Sequence, residues 1–137
     1  MSLFKVLDVS ASAMSAQSVR LNTTASNMAN ADSISSSADT TYRSRQPVFA
    51  AALDRAQEDQ NAVGVKVAGI VESDKPLLRE YQPGHPMADA DGYIYRPNVN
   101  VMEEMANMIS ASRSYQTNVQ VAETAKSMLT KTLTLGQ

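Results

Sequence analysis

The first thirty residues carry apolar side chains at alternating spacings of three and four positions. This heptad pattern is typical of a helix that packs along one face against another helix. Small and large residues take turns along the row, which favours close approach of a partner. The pattern predicts a helix from Leu3 to Asn30, about 42 Å long. The row comprises Phe4, Leu7, Ala11, Met14, Ser18, Leu21, Ala25 and Met28.

A second row of this kind runs through the end of the chain and is weaker at Ser112 and Lys126. Asn98 or Asn100 is expected to cap this helix, because acidic residues follow in what would be its first turn. The helix is predicted over 101–135 and would be about 52 Å long. The row comprises Val101, Met105, Met108, Ser112, Tyr115, Val119, Ala122, Lys126, Leu129 and Leu133.

The predicted C-terminal helix has more apolar surface than one partner can cover. A further apolar row, off the first, comprises Val121, Ala125, Met128 and Leu135. A single antiparallel helix cannot bury both rows. Thr23 and Asn107 lie off the two main rows, so an Asp there is expected to disturb packing much less than an Asp at Leu21 or Met105.

All five prolines and four of the five glycines lie between Pro47 and Pro97. Both residue types disfavour helix interiors, so the ends can be long helices and the middle cannot. We therefore divide the chain into 1–46, 47–97 and 98–137. The first and last parts, a helix with a Ser-rich loop and a second helix, form one helical assembly domain, and the middle forms a small β-rich domain.

The middle segment alternates apolar and other residues over 63–71, as half-buried strands do. Residues 76–82 and 93–96 are weaker strand candidates, and turn-forming residues separate them, which favours a hairpin or small meander. Residues 48–60 fit a strand, or a strand followed by a short helix. The fold class is thus α+β, with the terminal helices packed as a coiled-coil-like pair around a β- and loop-rich insert.

Composition and charge exclude several functions. A formal net charge of -2 gives no electrostatic reason to bind nucleic acid, and no apolar run is long enough to insert directly into a membrane. The N-terminus lacks the apolar core of a secretory signal, so we expect any export to use another route. The absence of cysteine excludes disulfides and thiolate chemistry.

Candidate catalytic and metal-binding residues are few. The only histidine, His85, lies near Asp89 and Asp91, but three ligands on one turn-rich loop lack a fixed geometry, and we expect turn residues there instead of a metal site. No nucleophile elbow or glycine-rich phosphate loop is present. The sequence therefore favours a protein that is not an enzyme and needs no cofactor.

Two stretches resemble a known family. Residues 15–30 resemble the N-terminal signature of bacterial flagellar axial proteins, whose helix ends in an Ala-Ser-Asn-hydrophobic-Ala-Asn box, here containing Asn27, Ala29 and Asn30. Residues 81–115 are similar to the proximal-rod members of that family, and 54–75 are the least similar. The motif residues of this second stretch are Pro83, Gly84, His85, Pro86, Asp89, Gly92, Tyr93, Pro97, Asn98 and Asn100.

The resemblance implies a structural subunit of the proximal rod, the periplasmic drive shaft of the flagellum, which is needed for flagellar assembly and motility. It implies export by the flagellar type III apparatus without a cleaved signal peptide. The implied partners are FlgB, FlgF, further copies of this chain, and FliE at the membrane ring. The alternative from the helical rows alone is an interaction module, such as an export chaperone or coiled-coil adaptor, for which a β insert is superfluous.

Overall fold

A computed structural model describes residues 2–52 and 63–136 and has an α+β fold, as the sequence predicts. In the sequence, four strands lie between two long helices. The elements are α1 (Leu3–Ala29), β1 (Arg45–Ala52), β2 (Gly64–Glu72), β3 (Leu78–Tyr81), β4 (Tyr93–Arg96) and α2 (Val101–Leu135). The short helix considered within 48–60 falls mainly on residues outside the described ranges.

Polar side chains cap the starts of both helices. The Ser2 hydroxyl accepts a hydrogen bond from the backbone N–H of Phe4 at 3.3 Å. Asn100, one of the two residues considered for the role, caps α2 and accepts from the backbone N–H groups of Met102 at 3.1 Å and Glu103 at 3.3 Å. Each cap satisfies N–H groups that have no partner inside the helix, which explains where the helices begin.

The helices pack side by side and run in opposite directions. Near one end of the pair, Arg20 donates a hydrogen bond to the Asn107 side chain at 3.0 Å. At the other end, Leu3 lines a groove together with Val121 and Met128. Counting from the Arg20 contact puts Leu3 level with about residue 124, so α2 continues roughly 16 Å beyond the start of α1.

The insert consists of two separate antiparallel hairpins instead of one meander. Strands β1 and β2 pair from Arg45 with Glu72 to Ala52 with Gly64, so β1 begins two residues before the predicted boundary at 47. This hairpin lies against α1, where the Val65 N–H donates to the Ser12 hydroxyl at 3.1 Å. A side chain at Gly64 would come within 2.9 Å of that hydroxyl, so close contact requires a glycine.

The second hairpin, β3 with β4, is joined to the loop after α1. Ser35 and Tyr95 exchange two backbone hydrogen bonds of 3.0 Å each. Because this loop is otherwise rich in residues that compete for backbone hydrogen bonds, it forms turns and neither a helix nor a long strand. The bridge fixes the second hairpin close to the ends of both helices.

Candidate assembly interface

The buried residues of the two helices are mainly small or polar. The fully buried residues of α1 are Ser10, Ala16, Thr23, Thr24 and Asn27, and those of α2 are Glu104, Ala111 and Ala125. No apolar side chain larger than alanine is fully buried in the described part of either helix. A helix pair normally buries its large apolar residues, because their removal from water drives packing. In this pair, the large apolar side chains stay partly or fully exposed.

The predicted rows divide evenly between half-buried and exposed positions. The half-buried members are Leu7, Met14, Leu21, Met28, Met108, Ser112, Val119, Ala122 and Leu129. The exposed members are Phe4, Ala11, Ser18, Ala25, Val101, Met105, Tyr115, Lys126 and Leu133. Some exposed members directly follow a buried residue in the sequence: Ala11 follows Ser10, and Met105 follows Glu104. Their role in contacts between subunits stays a prediction.

The expectation for Thr23 is wrong. Thr23 is buried, and Asn107 accepts the hydrogen bond from Arg20. Small and polar residues let the helices approach closely, so the packed face includes positions that an apolar pattern assigns to solvent. An Asp at Thr23 would therefore disturb the packing of α1, whereas an Asp at Asn107 would keep the oxygen acceptor and turn the hydrogen bond from Arg20 into an ion pair.

Large apolar side chains lie on the outside of α2. Met102 and Leu133 are 75% and 73% exposed, and Ile109 and Met105 are also exposed. Met102, Met105 and Ile109 follow one another at spacings of three and four, so they form one outward stripe. The predicted rows do not include Met102 and Ile109. Their spacings of three and four from Met105 would have placed them on one helix face with it. Contiguous apolar surface of this kind marks sites of protein association.

An apolar groove lies at the end of the pair where α2 overhangs. It has a volume of about 380 Å³ and is lined by Leu3, Val6, Val121 and Met128, together with alanine, threonine and glutamine side chains. Beyond it, the last turns of α2 carry Leu133 and Leu135, which are both largely exposed. The apolar surface therefore continues from the groove along the overhang.

Asn27 joins the end of α1 to the first hairpin. Its side chain is 1% exposed, and its amide nitrogen donates to the Arg45 carbonyl at 2.8 Å. Its amide oxygen accepts from the Arg45 N–H at 2.9 Å and from the Tyr42 hydroxyl at 2.8 Å. These contacts fix the direction in which the chain leaves the loop and begins β1.

Asn98 makes an equivalent junction before α2. Its oxygen accepts from the Ser44 N–H at 2.8 Å, and its amide nitrogen donates to the carbonyls of Ser73 at 3.2 Å and Lys75 at 2.8 Å. Asn98 therefore connects three segments, while the neighbouring Asn100 caps the helix. The asparagines of the two motifs position the helices relative to the hairpins.

Residues 83–92 of the second motif form the turn between β3 and β4. The Asp89 carboxylate accepts from the backbone N–H groups of Asp91 at 3.0 Å and Tyr93 at 2.8 Å. Gly92 has φ of 82°, which disfavours any side chain, and a Cβ there would lie 3.0 Å from the Tyr81 ring. His85 Nδ1 accepts from the Met87 N–H at 3.1 Å. His85 and Asp89 thus support backbone turns.

Among the described residues, no group of three or more His, Cys, Asp or Glu side chains is arranged to hold a metal ion. Within those same ranges, neither helix combines the length and the apolar character that crossing a membrane requires.

Comparison with known proteins gives consistent matches. Residues 7–33 match the family described as flagella basal body rod protein, and 90–135 match flagellar basal body rod FlgEFG protein C-terminal. The chain is 54% identical to the flagellar basal-body rod protein FlgC of Yersinia enterocolitica and 52% identical to that of Salmonella typhimurium. FlgC of Buchnera aphidicola subsp. Acyrthosiphon pisum is 44% identical. All three alignments span both proteins completely.

These matches and the helical pair with its outward apolar residues define the class of protein as a structural subunit of the flagellar basal-body rod. The chain belongs to the FlgC family of flagellar basal-body rod proteins. The resemblance noted from the sequence motifs is confirmed.

Proposed function

We propose that this chain builds the proximal part of the rod, in the periplasm, and that it acts by assembly and not by catalysis. The observation that carries this proposal is the distribution of residues on the helices. The side chains that are buried in α1 and α2 are small or polar, while Met102, Met105 and Leu133 are exposed. Apolar surface left in water is unfavourable unless neighbouring subunits cover it.

The proposed division of labour follows the chain. Residues 1–46 and 98–137 form the assembly domain, and 47–97 form a middle domain that lies against it. The hydrogen bonds of Asn27 and Asn98 support this assignment, because they hold the helices at fixed directions relative to the hairpins. A rigid direction is needed if successive subunits are to repeat the same contact.

The proposed neighbours are FlgB, FlgF and further copies of this chain, with FliE at the junction to the membrane ring. We further propose that the flagellar type III apparatus exports the chain without a cleaved signal peptide. The FlgC relatives carry the name of a basal-body rod protein, which supports a location in that structure.

Electron cryotomography of cells that lack this chain tests the proposal. We expect membrane rings without a shaft, hook or filament, and full recovery when the gene is restored on a plasmid. A complete shaft in the deletion strain would exclude a rod subunit. Shafts that form in reduced number but with normal dimensions would instead indicate an export chaperone or adaptor.

A further inference from the structure

One face of the second hairpin carries an arginine and three tyrosines. In the register of β3 with β4, Arg79 lies opposite Tyr95, and Tyr81 lies opposite Tyr93. Cross-strand partners share a face of a sheet, and so do residues two apart on one strand. All four side chains therefore lie on one face, which we call the tyrosine face. Ile94 lies on the opposite face and is 1% exposed, so the tyrosine face is the outer one.

The side chains of the tyrosine face are stacked on one another but remain accessible. The Arg79 guanidinium carbon lies 3.7 Å from the centre of the Tyr93 ring and 5.8 Å from that of Tyr95. The Tyr81 ring meets the Tyr93 ring edge to face, with centroids 5.1 Å apart. Tyr81 is 62% exposed, and Arg79 is exposed as well. Because stacking restricts the guanidinium, a partner that binds it causes little further loss of conformational entropy.

Arg79 forms no ion pair with any residue of 2–52 or 63–136, although an acidic residue follows it directly. That residue, Glu80, lies 3.7 Å from Arg96 on the opposite face of the hairpin. Arg96 also pairs with Asp32 at 2.9 Å. The fold thus satisfies the charge of one hairpin arginine internally and leaves the other stacked at the surface without a carboxylate.

The group that complements this face is a carboxylate on a protein surface. A stacked guanidinium still presents N–H groups in a planar fork that matches a carboxylate. Tyrosine and arginine are also enriched where proteins bind each other. A second copy of this chain meets the charge requirement, since it has 14 acidic against 12 basic residues and exposes Asp74 and Asp91. Neither of these two carboxylates forms an ion pair within the described part of the chain.

We propose that, in the rod, the tyrosine face binds the carboxylate of Asp74 or Asp91 of a second copy of this chain. This inference rests on the proposed rod function. The two aspartates lie in the segments before and after β3, so the two surfaces in contact are different from each other. A contact between different surfaces does not close a dimer, and each subunit can add a further one, as growth of a rod requires.

The substitution Arg79→Gln tests the proposal by removing the charge while keeping a polar side chain. We expect roughly tenfold fewer cells with a filament when this variant complements the deletion strain. The purified variant should keep the circular dichroism spectrum of wild type, because Arg79 is exposed. Arg79→Lys keeps the charge and should restore most filaments. Lys66→Gln is the matched control: it removes an exposed cation of the first hairpin and should leave filament number unchanged.

Carbodiimide crosslinking of the Arg79→Lys variant identifies the partner, because the introduced amine can form an amide bond with a carboxylate in contact. In isolated basal bodies, we expect mass spectrometry to find position 79 joined to Asp74 or Asp91, and the free subunit should give no such product. A crosslink only to another protein, no crosslink in basal bodies, or normal filament number in Arg79→Gln would overturn the proposal. Failure of the wild-type gene to restore filaments would instead count against the rod function, and the proposal would fall with it.

Discussion

Two regions of the molecule bury polar residues, with opposite consequences. At the junctions, the amides of Asn27 and Asn98 are bonded through both oxygen and nitrogen, so the burial fixes the fold. Along the helices, Ser10 and Thr24 are buried where large apolar residues usually lie, and several large apolar residues, such as Met102 and Leu133, are exposed. The junctions thus stabilise one chain, and the exposed apolar side chains of the helices are the surface that we propose for contacts between chains.

The comparison also explains how one subunit can have a defined fold and still keep surface for assembly. Paired hydrogen bonds are satisfied within the chain and need nothing further. Exposed apolar side chains such as Met102 and Leu133 reach their favourable state only when neighbours cover them. Substitutions in the two regions should therefore separate folding from assembly.

Asn27→Ala should have the largest effect on folding. It removes three hydrogen bonds from a buried position, takes this partner from the backbone N–H and C=O of Arg45, and leaves the Tyr42 hydroxyl with only the Ser26 hydroxyl at 3.3 Å. We expect a loss of about 2–5 kcal/mol in the free energy of unfolding, measured by urea denaturation. Asn22→Ala, at an exposed position of the same helix, should cost far less. Equal losses of unfolding free energy in the two variants would show that the hydrogen bonds of Asn27 contribute no specific stability.

Gly92→Ala should have an intermediate effect. The positive φ and the nearness of Tyr81 and Pro83 both oppose a side chain at this position. We expect a loss of about 1–2 kcal/mol in unfolding free energy. Gly84→Ala, where an added Cβ meets no atom within 4 Å, should change stability little. The same loss in both variants would indicate a general loop effect and no specific turn strain.

His85→Ala should have a small effect. The substitution removes one hydrogen bond from an exposed turn, so we expect a loss below about 1 kcal/mol and normal swimming in soft agar. Addition of a chelator to wild-type cells should be equally neutral. Metal that copurifies with wild type and is lost from the variant would contradict the turn role.

Helix limits were predictable from the sequence, and the packed face was not. The range 101–135 is found as predicted, and 3–30 is found to within one residue, because proline, glycine and asparagine signals fix the limits. The packed face was harder to predict because Ser10, Thr24 and Glu104 occupy it. An apolar pattern locates a surface that is unfavourable in water. It does not show whether residues of the same chain or of another chain bury this surface.

The junction residues were recognisable only in part. The motif positions Asn27 and Asn98 were visible by resemblance, but their partners Arg45, Ser44 and Ser73 lie far away along the chain. Nothing in a local pattern links these residues, because backbone groups form most of the contacts. The pairing of the two hairpins likewise depends on contacts across many residues.

The central claim is that the exposed apolar residues of α2 serve assembly and not folding. Met105→Asp and Leu133→Asp test it, with Gln116→Asp as a control at an exposed polar position of the same helix. The decisive measurement pairs the unfolding free energy of each purified variant with its filament count in the complemented deletion strain. We expect changes within about 0.5 kcal/mol of wild type for all three, filaments lost in the first two, and normal filaments in the control. Normal filaments with both Met105→Asp and Leu133→Asp would contradict the claim.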